Sequence, residues 1–383
     1  MNAGRGVIFP GFVDVHVHLR EPGWEYKEDF LTGTRAAAHG GVTTVADMPN
    51  NPEPTVTARA VERKKELARA KAVTDVVFYG GATGDNRAEL ELMSDTVAGY
   101  KAYLARSTGD LLLSDSDLVE VFGAGVKAGL PVSLHCEDQS VIDRASKALE
   151  GVGRRDVICD LRPPEAEVEA VRKVIAAAGT VRGARVNVCH TSTEGALGLV
   201  KEARSRGVPL ECEAALHHLF FNRAAMLESG LLATNPPLRA EGDRAALVQG
   251  IRDGTVSFLV TDHAPHTREE KLSKGVSGVT GLDDYAHVVS WLLKEQGVEP
   301  AQVVRVACTG PARYLGLSDR GEVAEGKRAD LCVLDLAFPE RVKPDELMTK
   351  CRWSPYEGKE FPGGARWTIR GGETLVEDFR VVV

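Results

Sequence analysis

Nowhere in the 383 residues do 18 apolar residues run together, so the sequence offers no helix able to span a membrane. The opening residues carry a single arginine and a short apolar stretch, which is not the pattern of a secretory signal. There is no Cys-x-x-Cys pair. The seven cysteines (Cys136, Cys159, Cys189, Cys212, Cys308, Cys332 and Cys351) are odd in number and scattered. That predicts reduced thiols in a cytoplasmic protein rather than a disulfide framework. Positive charge is short as well: 47 Lys and Arg against 55 Asp and Glu leave a net charge of −8. Neither nucleic acid nor an anionic membrane is therefore the expected partner. Internal repeats and low-complexity segments are absent. With 43% hydrophobic and 27% charged residues, the composition is that of an ordinary globular protein, long enough for one large domain or two modest ones.

Histidine is scarce, 10 in all, yet two fall in one short stretch, Gly11-Phe12-Val13-Asp14-Val15-His16-Val17-His18-Leu19-Arg20-Glu21-Pro22-Gly23. Its apolar and polar residues alternate, which reads as a β-strand. Residues two apart on a strand share a face. His16, His18 and Arg20 are therefore expected on one face, and Val13, Val15, Val17 and Leu19 on the other. Two imidazoles about 6–7 Å apart along one strand are placed to grip a cation.

After this stretch the chain repeats one pattern: apolar strand, Gly or Asp turn, amphipathic helix. Further strands are expected at 42–47, 75–80, 97–104, 131–136, 185–189, 209–214 and 257–261, with helices between them and a long loop after the last. Eight strands alternating with helices predict an α/β fold, a (β/α)8 TIM barrel, over residues 11–319. The final stretch changes character. Gly321 to Asp335 and Arg366 to Glu373 read as short strands between glycine turns. Residues 1–10 and 320–383 are expected to form a small, reduced β-sandwich-like appendage.

In such a barrel the active site lies at the C-terminal ends of the strands. Those ends carry His16 and His18, then Lys101, His135, His190 and Asp262. One histidine at a strand end means little. Four histidines and an aspartate around one ring point to a metal centre. Parity agrees, because Val186, Val188 and His190 share a face by alternation, as do Ser133 and His135, and Phe258, Val260 and Asp262. Lys101 sits in the apolar strand Gly99-Tyr100-Lys101-Ala102-Tyr103-Leu104, where an unpaired ammonium is expensive. It either reaches a rim or an acid, or it is deprotonated and carboxylated by CO2, giving two oxygens able to bridge two metals. Residue chemistry alone leaves both open.

Eight motifs stand in order along the chain. They are Val13 to Gly23; Asp47-Met48-Pro49-Asn50; Tyr100 to Leu104; Leu134-His135-Cys136-Glu137; and Cys189-His190. Then come Glu211-Cys212-Glu213 with His217-His218-Leu219-Phe220; Asn235-Pro236-Pro237-Leu238; and Thr261-Asp262-His263-Ala264-Pro265-His266. Together, over nearly the whole length, they resemble the dihydroorotase family within the amidohydrolase superfamily.

The resemblance implies two divalent metal ions, Zn2+ being the expected one. His16, His18 and Asp262 would hold the first, His135 and His190 the second, with a CO2-derived carbamate on Lys101 between them. Many bacterial relatives carry Asp at that bridging position. The lysine is similar instead to the dihydroorotase domains of multifunctional pyrimidine proteins, and to hydantoinases. The implied reaction is the reversible cyclisation of N-carbamoyl-L-aspartate to L-dihydroorotate, the third step of pyrimidine biosynthesis, with Asp262 as general base and then acid. The resemblance assigns Arg20, Asn50 and His266 to the substrate carboxylate, and Asn235, Ser277 and Gly278 to the amide edges of its ring. Ser107 and Thr108, in the loop 105–110, are the expected contacts if that loop closes over substrate. His217 and His218 match a family motif without being ligands in it. A homodimer, or association with another enzyme of the pathway, is the assembly the resemblance suggests. Two other readings share much of the pattern. One is a hydantoinase or allantoinase, whose uncharged ring needs no carboxylate clamp. The other is a catalytically inactive scaffold homologue, which would have lost ligands that are intact here.

Overall fold

A computed structural model describes residues 6–107 and 111–383. A short strand, β1 (Val7–Pro10), precedes the strand that leads into the two histidines, β2 (Phe12–Val17). Then come β3 (Val42–Asp47), β4 (Asp75–Gly81), β5 (Gly99–Tyr103), β6 (Val132–His135), β7 (Val186–Val188), β8 (Leu210–Ala215) and β9 (Phe258–Val260). β2 to β9 lie side by side in chain order, every neighbouring pair parallel. A parallel bridge between Val17 and His263 brings the last strand back to the first. There the His18 N–H donates to the His263 carbonyl at 2.8 Å. The result is a TIM barrel, the fold class that the alternation predicts.

Parallel strands covered on both faces need apolar residues on both. Leu134, Val186, Val188, Cys212 and Ala214 pack outward against helix residues such as Phe122, Val171 and Val200. Val13, Val15, Tyr79, Phe258, Val260 and Tyr314 form a second cluster that fills the barrel interior below the site. The two ends of the chain meet in an antiparallel sheet of order β1-β10-β13-β14-β15, made with β10 (Leu331–Asp335), β13 (Gly364–Arg370), β14 (Glu373–Glu377) and β15 (Arg380–Val381). A further pair, β11 (Glu340–Arg341) and β12 (Glu360–Phe361), stands apart from it. The terminal sheet presses on the barrel at Gly41. A Cβ there would lie 2.6 Å from Cys332 Sγ, and φ is +81°, so glycine is required twice over.

Gly40 caps the helix Phe30–His39 with φ −78°, a value any residue adopts. A Cβ on it would nevertheless stand 2.0 Å from the Leu282 carbonyl oxygen. Gly40→Ala is therefore expected to destabilise the fold by about 1–3 kcal/mol, seen as a lower thermal midpoint. An unchanged midpoint would mean that the Leu282 backbone gives way freely.

Strand alternation fails at two places. The β2–β3 pairing shifts register between Asp14 and Val17. Val13 and Val15 consequently join the interior cluster, whereas Val17 and Leu19 join the helix-side core. The four residues expected on one face are split between two, because an irregularity of this kind re-aims the side chains that follow it. On β7, Val186 and Val188 face the helices, and His190 does not share their side. The expected long loop after β9 also contains a helix, Arg268–Lys274, started by a capping box between Thr267 and Glu270.

Candidate active site

The hydrogen-bonded strands stop short of the chemistry: β2 ends before His18, β7 before His190 and β9 before Asp262. What aims the last residues is the turn that follows each strand. Arg20 (φ 64°), His190 (φ 32°) and Asp262 (φ 46°) occupy the left-handed region, which non-glycine residues rarely adopt. Such strain persists only where the surroundings over-determine it. At His190 the turn overrides the strand period and brings the ring 5.1 Å from that of His16 and 4.8 Å from that of His135, centre to centre.

Each of three imidazoles is held from behind by an oxygen. His16 Nδ1 donates to Glu213 Oε2 at 2.7 Å, His135 Nε2 donates to Glu137 Oε2 at 2.9 Å, and His18 Nδ1 lies 2.6 Å from Asn50 Oδ1. Glu137 is fixed in turn by Arg162, whose NH2 donates to it at 2.6 Å. Burial pushes the Glu137 carboxyl up, but the charge of Arg162 and the hydrogen bonds from Arg162 and His135 outweigh it and hold the group well below the usual carboxylate range. Burial holds His16, His18, His135 and His190 neutral, with pKa values below the ordinary imidazole value. A neutral imidazole that donates outward has only a lone pair inward. His16 Nε2 thus faces Asp262 Oδ1 at 3.5 Å, acceptor against acceptor, and His18 Nε2 is 3.2 Å from the same oxygen. His135 Nδ1 presents its lone pair to His190 Nε2 at 3.0 Å.

Lys101 lies under this cluster, fully buried. Its Nζ donates to Cys189 Sγ at 2.8 Å and stands 5.1 Å over the Tyr103 ring; among the described residues no carboxylate forms an ion pair with it. Neither the rim nor an acid partner expected of a plain lysine is present.

This donor set fits divalent cations. The inward lone pairs of His16 and His18 crowd against a carboxylate oxygen of Asp262, and among the described residues His190 Nδ1 is buried without a hydrogen-bond partner. Two ligands on one tetrahedral ion, with bonds near 2.0–2.1 Å, stand roughly 3.3 Å apart, which is the spacing found here. His16, His18 and Asp262 form one group that could hold an ion, and His16, Cys189 and Glu213 form another. The outer oxygens are the kind of support that fixes a ligand's tautomer and direction.

Above the cluster a cleft is lined by His16, His18, His135, His190 and Asp262, and also by Arg20, Asn50, Ser107, Asn235, Ser277 and Gly278. His266 stands behind that wall with Nε2 3.2 Å from Arg20 NH2, while Arg20 Nε donates to the Pro265 carbonyl at 3.1 Å. Burial lowers the Arg20 pKa to about 10, still far above neutrality, so the guanidinium is charged. Arg20 reaches the cleft through its left-handed turn rather than through the alternation of β2. Asn50 does two things, lining the cleft and holding His18. Among the described residues Asn235 Oδ1 has no hydrogen-bond partner, though it is buried. Gly278 has φ +130°, and a Cβ there would be 2.4 Å from the Ala264 carbonyl oxygen, so the backbone itself forms that wall. Thr108 lies outside the described residues. His217 and His218 are buried, the latter with Nε2 donating to the Pro236 carbonyl at 3.1 Å.

Sequence reading missed Glu213, Glu137, Arg162, Cys189, Tyr103 and Lys27 as parts of the site. Glu213 had a signal: Glu211 and Glu213 share one face of a strand, and the interior face is the one that meets the histidines. Glu213 also accepts the His190 N–H at 2.9 Å and an Asn187 Nδ2–H at 2.6 Å. Burial, opposed by the charge of Lys101, raises its pKa to about 7. Glu213→Gln keeps the shape and weakens the hold on His16. The expected result is about 10- to 100-fold weaker retention of divalent metal, measured by titrating metal against a chelator. Retention equal to wild type would remove Glu213 from the metal's support.

A parallel barrel whose strand ends converge buried histidines and one aspartate defines a metal-dependent hydrolase of the TIM-barrel class. A family model described as "Amidohydrolase family" matches residues 7–373, and the chain belongs to that family. Within it, the chain resembles curated dihydroorotases. That of Halobacterium salinarum is 36% identical over 369 residues, spanning 95% of this chain and 85% of the relative. That of Pelotomaculum thermopropionicum is 35% identical over 396 residues, spanning 99% and 89%. Among solved structures, the L-hydantoinase (dihydropyrimidinase) of Arthrobacter aurescens superposes with a TM-score of 0.95 at 26% identity, covering 100% of this chain and 88% of that one. Among the described residues no helix is long and apolar enough to cross a membrane.

Proposed function

We propose that this chain is a dihydroorotase that interconverts N-carbamoyl-L-aspartate and L-dihydroorotate. The observation that carries the reading is the pairing, in one cleft, of a divalent-metal donor set with Arg20, against which His266 stands. Cyclic amidases in general need the first; a ring that bears a carboxylate needs the second as well. The hydantoinase likeness speaks for the shared barrel, and the guanidinium facing the cleft separates the two chemistries. Intact donors at all six positions weigh against an inactive scaffold.

His16, His18 and Asp262 would hold one ion, His135 and His190 a second, and a carbamate on Lys101 Nζ would lie between. When bound, the pair, with Zn2+ the expected metal, supplies Lewis acidity that makes water a nucleophile at neutral pH and polarises the ring carbonyl. Carboxylation of Lys101 would replace an unpaired buried ammonium with an anion suited to bound divalent ions, which removes the cost of that ammonium. Arg20 offers a planar fork to the substrate carboxylate, with Asn50 and His266 completing that end. Asn235 and the backbone at Ser277 and Gly278 face the amide edges. Asp262 takes a proton from the attacking water on its free carboxylate oxygen and passes it to the ring nitrogen as the C–N bond breaks. In the cyclising direction the same carboxylate takes the proton from the carbamoyl nitrogen as that nitrogen attacks the carbon of the protonated carboxyl group, and passes it to the departing hydroxyl, which leaves as water. Ser107 would contact bound substrate from the loop after β5.

The test is direct. Purified protein supplied with Zn2+ and bicarbonate should interconvert the two compounds, lose the activity to a chelator and regain it with Zn2+. Protein that holds two metal ions per chain and turns over neither compound would overturn the assignment.

A further inference from the structure

The donors around His266 extend the carboxylate reading by one step, and their role as a clamp rests on that reading. Lys27 is buried, with Nζ 3.0 Å from His266 Nδ1, 3.2 Å from Glu270 Oε2 and 4.9 Å over the Trp24 ring. An ammonium has three donors and no acceptor, and at 3.0 Å it is nearer the ring than the Arg20 guanidinium at 3.2 Å, so His266 Nδ1 is taken as the acceptor. The His266 ring is neutral: burial, with Arg20 and Lys27 beside it, brings its pKa down to about 2. A neutral imidazole carries one N–H, which is then on Nε2. That nitrogen is 3.2 Å from Arg20 NH2, and a guanidinium is also a donor only. Two N–H donors therefore converge at the edge of the cleft. A single carboxylate oxygen satisfies both.

We propose that Lys27 is a positioning residue: by donating to Nδ1 it holds His266 as the Nε2–H tautomer, and so makes His266 and Arg20 a two-donor clamp for a carboxylate on the substrate ring. Contacts besides Lys27 also hold His266 in place. The His266 carbonyl accepts from Trp353 Nε1 at 2.8 Å, and Cδ2 lies 3.1 Å from the place of a Cβ on Gly278. What Lys27 controls is the proton. Glu270 Oε2 is 3.7 Å from His266 Nδ1, so it is the acid next to that nitrogen once the ammonium is gone. A carboxylate there favours Nδ1–H, which turns the Nε2 lone pair toward the cleft and against an incoming carboxylate.

The experiment uses zinc-loaded protein with nitrogen-15 labelled histidine. His266 signals, assigned by comparison with His266→Asn, should report Nε2–H in the wild type and Nδ1–H in Lys27→Met. In the same preparations Lys27→Met should raise KM for L-dihydroorotate about 10-fold or more with kcat changed far less, and Lys27→Arg, which keeps a donor, should recover most of the loss. A wild-type His266 protonated on Nδ1 overturns the proposal without any variant. So does Nε2–H retained in Lys27→Met with KM unchanged. Wild-type protein inert toward dihydroorotate would refute the substrate reading instead, while the nitrogen signals still decide what Lys27 does.

Discussion

Replacing Lys101 with alanine is expected to lower kcat/KM for L-dihydroorotate by about 10³-fold or more and to leave no more than one tightly held divalent ion per chain. The physical reason is local. Lys101 Nζ sits fully buried with a thiol as its hydrogen-bond partner, beneath a ring of imidazoles held neutral by burial. As a carbamate it is the one group there able to place an oxygen toward each half of the donor set. Alanine removes both oxygens and creates a small void. The fold should survive, because among the described residues the side chain gives up little beyond the Cys189 Sγ hydrogen bond and the contact with the Tyr103 ring. Short carboxylic acids added to the variant fill the same space with the same two oxygens, and partial recovery of activity is expected with them. Metal content by elemental analysis, alongside the assay, checks both halves. Substantial activity in Lys101→Ala without such additives would refute the carbamate.

Arg20→Gln should raise KM for L-dihydroorotate by about 10- to 150-fold, the equivalent of 1.5–3 kcal/mol of charge-assisted hydrogen bonding, with a smaller change in kcat. Glutamine keeps a donor and much of the length and loses the charge and the fork. The left-handed backbone at Arg20 and its Nε bond to the Pro265 carbonyl aim the terminal nitrogens at the cleft, so the side chain is already in place before substrate arrives. An unchanged KM would move the carboxylate to another part of the cleft.

The barrel and its donor residues were legible because the sequence states them at the level on which they are built. The period of apolar residues gives strand and helix, and chemically unusual residues at strand ends give the ring of His16, His18, His135, His190 and Asp262. Alternation misled where a single backbone feature intervened. The register shift within β2 split Val13 and Val15 from Val17 and Leu19, and the turn at His190 placed a residue inside that parity puts with Val186 and Val188. Neither leaves a mark in residue type. Glu137, Glu213 and Lys27 escaped notice for another reason. Each acts through a partner distant in sequence or reversed by a turn, and a lone acid or lysine in a strand or loop has many possible partners until the fold brings one within 3 Å or so.

The substrate assignment turns on a carboxylate beside the ring, and one ratio tests it most directly: kcat/KM for L-dihydroorotate divided by kcat/KM for dihydrouracil, the same ring without the carboxylate, on one zinc-loaded preparation. The clamp at Arg20 and His266 predicts a ratio of about 10² or more. A ratio near or below one would contradict it and make the protein an amidase of uncharged rings.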